Sequence, residues 1–295
     1  MRTLRLVTFS PSVLLLCVSM LACSRQQEVP RAVTPKALRQ INKREVDAPE
    51  SASPHYVSAP VIQEKATLKF KVVLDGPVPK REKLKVNGAV CGNLNIQSEK
   101  MVVGKGGAIE NFLVYFDVRK NKGVKLPKFP VPQKQAVLDN KGCVFVPHIL
   151  PVRAGQNFVV TNSDAEGHNA KFAFFENKEQ NPLVPPKGKT AIPVPNAEIA
   201  PTPVSCNIHT WMEAYVVVFD HPYLSISDEN GEIEIQDLPV GKLTFKLWHE
   251  NQARSIDEGV LNGEKGKWRR GNIEIDLKPG MNDLGILKIP ADKFK

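Results

Sequence analysis

From residue 66 onward the apolar residues fall in short runs, many of them alternating with polar ones, and no stretch carries a convincing long amphipathic helix. A side-chain period of two places alternate residues on opposite faces of a pleated ribbon, so such segments read as β-strands. Thr67-Leu-Lys-Phe-Lys-Val-Val-Leu74 alternates in this way and stops at Asp75-Gly76-Pro77. Phe112-Leu-Val-Tyr-Phe116 is a short apolar run suited to an inner strand, and Gln156–Thr161, Lys171–Phe175 and Glu213–Phe219 read as further strands around the His168 loop and the Cys206 motif. Beyond Asp220 the hairpin signals become regular: Tyr223–Ser227, a turn at Asp228-Glu-Asn-Gly231, Glu232–Gln236, a turn at Leu238-Pro-Val-Gly241, then Lys242–Trp248. After a charged insertion, Asn272–Leu277 and Asp283–Ile289 follow. The expected fold class is all-β, with one β-sandwich over 66–220 and a second, smaller β-sandwich over 221–295.

The N-terminus reads as an export signal. Arg2 and Arg5 precede a short apolar core ending in Met20-Leu21-Ala22-Cys23, and polar Ser24-Arg25-Gln26-Gln27 follows at once. The apolar part is too short to cross a membrane comfortably. A small residue before a cysteine resembles the bacterial lipobox, where cleavage frees the Cys to take a diacylglycerol; bulky Leu21 departs from the usual pattern. This assigns 1–22 to a signal peptide and makes Cys23 a lipidation site. Residues 23–65, rich in Pro, Gln, Ser and charge, become a disordered tether spanning roughly 35 Å as a random coil. The expected address is the periplasmic face of a membrane, with the outer membrane favoured by Ser24. The net charge of +9 comes from scattered lysines without the clustered basic-aromatic patch that nucleic acid requires.

Of the five cysteines, Cys17 leaves with the signal and Cys23 is claimed for lipid. Cys206 belongs to the motif described next. Cys91 and Cys143 remain, and in an oxidising compartment they are expected to pair, which could stabilise the fold by roughly 3–4 kcal/mol on the chain-entropy model. Two buried free thiols, or Cys143 acting as a metal ligand with His148, are the other readings.

Cys206-Asn-Ile-His209-Thr-Trp-Met212 places a thiolate, an imidazole and a thioether within seven residues. A second imidazole, His168, lies upstream in Asn162-Ser-Asp-Ala-Glu-Gly-His168-Asn169. Two His, one Cys and a weakly held Met form the donor set of a blue copper site. The thiolate donates strongly, imidazole suits both redox states, and the thioether tunes the metal without fixing its geometry. His148 could be an extra ligand or could donate a hydrogen bond near the site, with a structural use favoured. His221 and His249 are expected to serve packing. Gly-rich Val103–Gly107 lacks the spacing of a phosphate-binding loop, and no nucleophile elbow, H-E-x-x-H or paired-carboxylate site occurs.

The order strand, Asn162-x-Asp164, His168-Asn169, strand, Cys206-x2-His209-x2-Met212, valine-rich strand resembles the cupredoxins, and the short loop looks most like that of amicyanin among plastocyanin-like proteins. With Cys91-Gly92, the segment Asn140–His148 and the tail from Asp220, the wider span is similar to the "methylamine utilisation" type of bacterial protein, whose C-terminal part resembles the transthyretin-like regulatory domain of carboxypeptidases. The resemblance implies a Greek-key sandwich and copper on His168, Cys206, His209 and Met212. It also implies that Asn169 ties the ligand loops together, and that an exposed edge of His209 serves as the electron exit. Val204 stands where many relatives place an aromatic, and Pro201 and Pro203 suggest an edge or irregular strand.

The expected function is that of a membrane-tethered type 1 copper protein passing single electrons to a redox protein partner. A copper-holding or delivery protein, or a binding module with a relic site, are the alternatives. Four donors on one ion leave no open position for a substrate, which argues against an enzyme.

Overall fold

The computed structural model describes residues 64–294. The expected signal peptide, the lipidation site Cys23 and nearly all of the tether lie outside the described residues. Among the described residues there is no α-helix, only four short 3₁₀ turns. The strands β1 (Lys65–Asp75) and β2 (Leu113–Phe116) precede a central block. That block runs β3 (Ala136–Asn140), β4 (Phe145–Val146), β5 (Ile149–Arg153), β6 (Phe158–Asn162), β7 (His168–Asn169), β8 (Lys171–Phe172), β9 (Leu183–Val184), β10 (Lys189–Ala191), β11 (Thr202–Ser205) and β12 (Glu213–Phe219). The chain then adds β13 (Leu224–Ile226), β14 (Glu232–Pro239), β15 (Gly241–Trp248), β16 (Glu258–Leu261), β17 (Glu264–Lys267), β18 (Asn272–Leu277) and β19 (Gly280–Pro290).

The fold is all-β and contains two sandwiches. In the central one, the sheet β10-β6-β3-β4 faces the sheet β5-β12-β11-β8, and the chain crosses repeatedly between them as a Greek key requires. Leu138, Phe145 and Val160 from the first sheet pack against Val152, Phe172, Val204 and Val216 from the second. The strand β11, expected at an edge because of its prolines, lies between β12 and β8. The two-residue β8 pairs with Val204 and Ser205 and ends there; Pro203 stands opposite Tyr215 of β12, and its carbonyl accepts the Ala173 N–H (3.2 Å) just beyond β8. The strand can carry a proline there because the β8 pairing stops at this point.

The other sandwich is not confined to the tail. Its sheet β14-β1-β19-β16-β17 is built around β1, which runs antiparallel to β14 and parallel to β19. In the opposing sheet β13-β2-β15-β18, β2 runs antiparallel to both β13 and β15. One core joins Leu68, Phe70 and Val72 of β1 and Val114 and Phe116 of β2 to Ile233, Phe245, Ile275 and Ile289. The strands β1 and β2, expected in the first sandwich, thus build the second with the tail, while the Cys91 stretch between them packs on the central block, which is inserted between the two halves of the second sandwich. Sequence periodicity registers each strand but not its partner, and here the partners lie far apart along the chain.

The two sandwiches meet sheet to sheet. Leu113 and Tyr115 of β2, with Leu224, Ile226 and Trp248, pack on Ile149, Tyr215, Val217 and Phe219. This seam explains why β2 is apolar at every position: one face fills the second core and the other fills the seam. The outer strand β1 buries one face and keeps alternation. The turn at Asp228–Gly231 adopts φ of +72° at Gly231, and a Cβ there would come within 2.4 Å of the Val72 carbonyl oxygen, so the close approach of this hairpin to β1 requires glycine.

His221 and His249 serve packing. His221 stacks among Phe116, Phe219 and Tyr223, and His249 lies against Phe112 and Phe294. Burial pushes both imidazoles down to about 4 from the ordinary 6.5.

Two predictions follow from this architecture. The fragment 221–294 alone lacks β1 and β2, so it is expected to be unfolded; a dispersed amide NMR spectrum from the isolated fragment would contradict the strand assignment. The second concerns acid stability. Between about pH 6.5 and 4 the unfolded chain takes up protons at positions 221 and 249 that the folded chain leaves neutral. The stabilisation from these two neutral imidazoles is complete above about pH 6.5 and declines as pH falls toward 4, by about 3 kcal/mol for each group. Urea midpoints across this range should drop with acid, and His221→Phe should flatten the dependence; an unchanged slope in that variant would refute the assignment.

Candidate metal centre

His168 enters the site on β7, a two-residue strand held in register by β9, with His168 opposite Val184. The loop before it is templated from within. The buried Asn162 amide donates to the carbonyls of Glu166 (2.8 Å) and Val184 (2.9 Å), and its oxygen accepts the Asp164 N–H (3.0 Å). Asp164 in turn accepts the N–H groups of Gly142 (2.6 Å) and Cys143 (2.9 Å) and faces His168 Nε2 at 3.1 Å. A carboxylate on Nε2 fixes that nitrogen as the protonated one and leaves the Nδ1 lone pair free to point inward.

Cys206 and Met212 bracket the loop between β11 and β12. The Cys206 N–H donates to the Met212 carbonyl (3.2 Å) and the Met212 N–H to the His209 carbonyl (2.9 Å), closing a tight turn with both side chains in the central core. The His209 N–H donates to Cys206 Sγ at 3.3 Å. His209 directs Nδ1 at His168 Nδ1, 2.9 Å away, and at Cys206 Sγ, 3.9 Å away, while its Nε2 faces Glu166 Oε1 at 3.7 Å. One donor atom each from His168, Cys206 and His209 falls within 4.8 Å of the others. His168 and Met212 are fully buried, and Cys206 and His209 nearly so. Burial lowers the His168 pKa, helped by the neighbouring His209.

Asn169 joins the two ligand loops. Its Oδ1 accepts the N–H groups of Asn207 (2.9 Å) and Ile208 (3.3 Å) and lies 3.4 Å from Cys206 Sγ. Cys91 and Cys143 form a disulfide with Cα atoms 5.8 Å apart, so neither is a free thiol or an available thiolate ligand; Cys206 is the free cysteine among the described residues. The bridge lies beside His168, with the sulfurs and a ring nitrogen within 4.8 Å of one another. The Cys91 N–H contacts Glu166 Oε2 at 3.4 Å, and the Trp211 indole donates to the Cys143 carbonyl at 3.1 Å. Together these groups roof the site.

That roof corrects one expectation. His209 was expected to show an edge to solvent, yet it is only 2% exposed. Glu166, the bridged Cys91 segment and the Trp211 ring, whose centroid is 5.0 Å from that of His209, enclose it. Asp164 and Glu166, unassigned in the sequence reading, are the carboxylates behind the two imidazoles. His148 sits apart from this cluster, between Glu250 and Glu99.

The donor set tests well against copper. A buried free thiol, two imidazoles converging through Nδ1 and a thioether at the loop end combine the soft and borderline ligands that this metal takes. No protein-family model matches the chain, and no curated protein does. Solved structures similar to it include a mutant of amicyanin in the Cu(I) state, 20% identical over 28% of this chain and 81% of that one, with a TM-score of 0.26. An oxidised amicyanin mutant is 21% identical over 30% of this chain and 85% of that one, with a TM-score of 0.27. The copper-containing nitrite reductase of Thermus scotoductus SA-01 is 16% identical over 32% of this chain and 24% of that one, with a TM-score of 0.27. Likeness at this level says nothing of the chemistry here, which rests on the donors themselves.

Replacing Asn169 with Ala removes the acceptor of two loop amides. It should cost about 1–3 kcal/mol, read as a lower denaturant midpoint, because the freed N–H groups are only partly reached by water. An unchanged midpoint would show that the loops do not depend on this tie.

Proposed function

We propose that the protein binds one copper ion through His168, Cys206, His209 and Met212 as a type 1 site and carries single electrons. The observation that supports this most directly is the pairing of the imidazoles: both turn Nδ1 toward the same point beside a buried thiol, and both turn Nε2 toward a carboxylate, Asp164 or Glu166. Copper there would supply one-electron redox chemistry. The chain's own residues hold the donors in place beforehand. Asp164 sets the tautomer of His168, the His209 amide supports the Cys206 sulfur, and Asn169 keeps the loops from separating. The roof of Glu166, the Cys91–Cys143 bridge and Trp211 keeps water from the donors. A site with four protein donors leaves no place for a substrate, so no enzymatic role is proposed.

The N-terminal sequence supports an exported chain tethered to a membrane through Cys23, with a redox protein as partner. One observation favours a second reading, copper holding or delivery: the covered His209 lacks the exposed ligand edge through which electrons would leave directly.

Adding Cu(II) to the purified protein should produce an intense visible thiolate-to-copper band that Cys206→Ser abolishes. A folded protein that takes up no copper, or shows no such band, would refute the type 1 reading. Reversible voltammetry of the loaded protein separates electron carriage from holding.

A further inference from the structure

We propose that His148 and Glu99 form a second metal site, one that takes a borderline divalent cation of the zinc class at the seam between the two sandwiches. This inference is independent of copper at the first centre. His148 follows Pro147 at the start of β5, and Glu250 follows β15 in the other sandwich. Glu250 is buried and hydrogen-bonds His148 Nε2. A carboxylate behind one ring nitrogen is the arrangement that orients a metal-binding histidine, because it places the proton there and leaves the opposite lone pair available.

The opposite nitrogen has no hydrogen-bond partner. His148 is 7% exposed, and its buried Nδ1 is left unsatisfied. The group facing it is Glu99 Oε2 at 3.6 Å. That separation is too long for a hydrogen bond. It is close to the span of about 3.4 Å between a nitrogen and an oxygen that bind one tetrahedral metal at bond lengths of about 2.0–2.2 Å. A buried lone pair with no donor costs free energy, which a Lewis acid between the two groups would remove.

The space exists. His148 and Glu99 line a cavity of about 120 Å³ together with Gln97, Ser98, Thr210 and Trp211. It is large enough for an ion and the waters that would complete its shell. Lys100, also at this cavity, is engaged with Glu213 at 2.7 Å, and that pairing draws its charge away from Glu99. Glu99 is 34% exposed at the side chain, which gives an ion a way in. Trp211 lines the cavity and also packs against His209, so the cation would lie one aromatic side chain away from the first centre. The competing occupant is a proton. Burial acts to lower the His148 pKa, but the Glu250 hydrogen bond and the charges of Glu250, Glu99 and Glu213 raise it on balance. Metal titration therefore belongs at about pH 8, where a proton competes less.

The test is a zinc count on the full chain by equilibrium dialysis, in four proteins: wild type, His148→Gln, Glu99→Gln and Cys206→Ser. Gln at 148 keeps a donor for Glu250 but offers no ring lone pair. Zinc can also occupy the first centre, so the informative quantity is the difference that His148 makes. His148→Gln should lose one zinc equivalent, Glu99→Gln should weaken the same equivalent by about tenfold or more, and Cys206→Ser should retain it. Equal zinc binding with and without His148, in proteins of matched melting temperature, would overturn the site. Zinc lost on Cys206→Ser alone would assign the metal to the first centre and overturn it as well. If His148→Gln does not fold, the comparison of Glu99→Gln with wild type decides, since Glu99 is partly exposed and its replacement leaves the seam intact.

Discussion

The carboxylate of Asp164 organises the candidate metal centre. It accepts the Gly142 and Cys143 amides and holds His168 by Nε2, so one side chain joins the disulfide-bearing turn, the His168 loop and the ligand itself. Remove it and the imidazole could rotate or change tautomer, and the turn after β3 would lose its anchor. Charge-assisted bonds of this kind are stronger than neutral ones. The convergence of His168 and His209 therefore follows from a polar network built behind the ligands, not from the ligands alone.

Around that centre the sandwiches divide the work by burial. The central one supplies two sheets whose connecting loops carry all four candidate donors. The second lends a rigid face to the seam, where Tyr215 meets Trp248 with ring centroids 4.8 Å apart and Tyr115 meets Phe219 at 4.9 Å. Burying large aromatic and aliphatic side chains stabilises by roughly 1.5–3 kcal/mol each, so the seam is a strong joint and the strand β12 is fixed from both faces. Met212 immediately precedes β12, and whatever steadies that strand steadies the end of the ligand loop.

Much of this was legible in the residues. Alternation announced β1 and β14, the hairpin turn at Gly231 was marked by its glycine, and the spacing of Cys206, His209 and Met212 located one loop of the site. His168 was legible only as a companion of that loop. What escaped the sequence reading was long-range. The periodicity of β1 is the same whether its partner is a neighbour in sequence or β19 at the far end of the chain, which is why β1 and β2 were expected in the first sandwich although they build the second. The burial of His209 escaped for the same reason: its cover comes from Cys91, more than a hundred residues upstream, brought in by the bridge to Cys143. Glu166 lay in plain view within the His168 loop, but its role depends on which way His209 Nε2 faces.

The roof bears on function through a conflict of requirements. The cover keeps the site rigid, but it leaves His209 without an exposed ligand edge. Trp211 is the part of the roof that meets both sides. Its ring packs against His209, its indole N–H is fixed on the Cys143 carbonyl, and it remains partly exposed at the cavity beside His148. A side chain so held swings aside only by breaking that hydrogen bond, which contributes about 1 kcal/mol to holding the cover over His209. The Cys91 segment, the other part of the cover, is tied by the disulfide to the turn that Asp164 anchors, so the cover over His209 is held on that side as well.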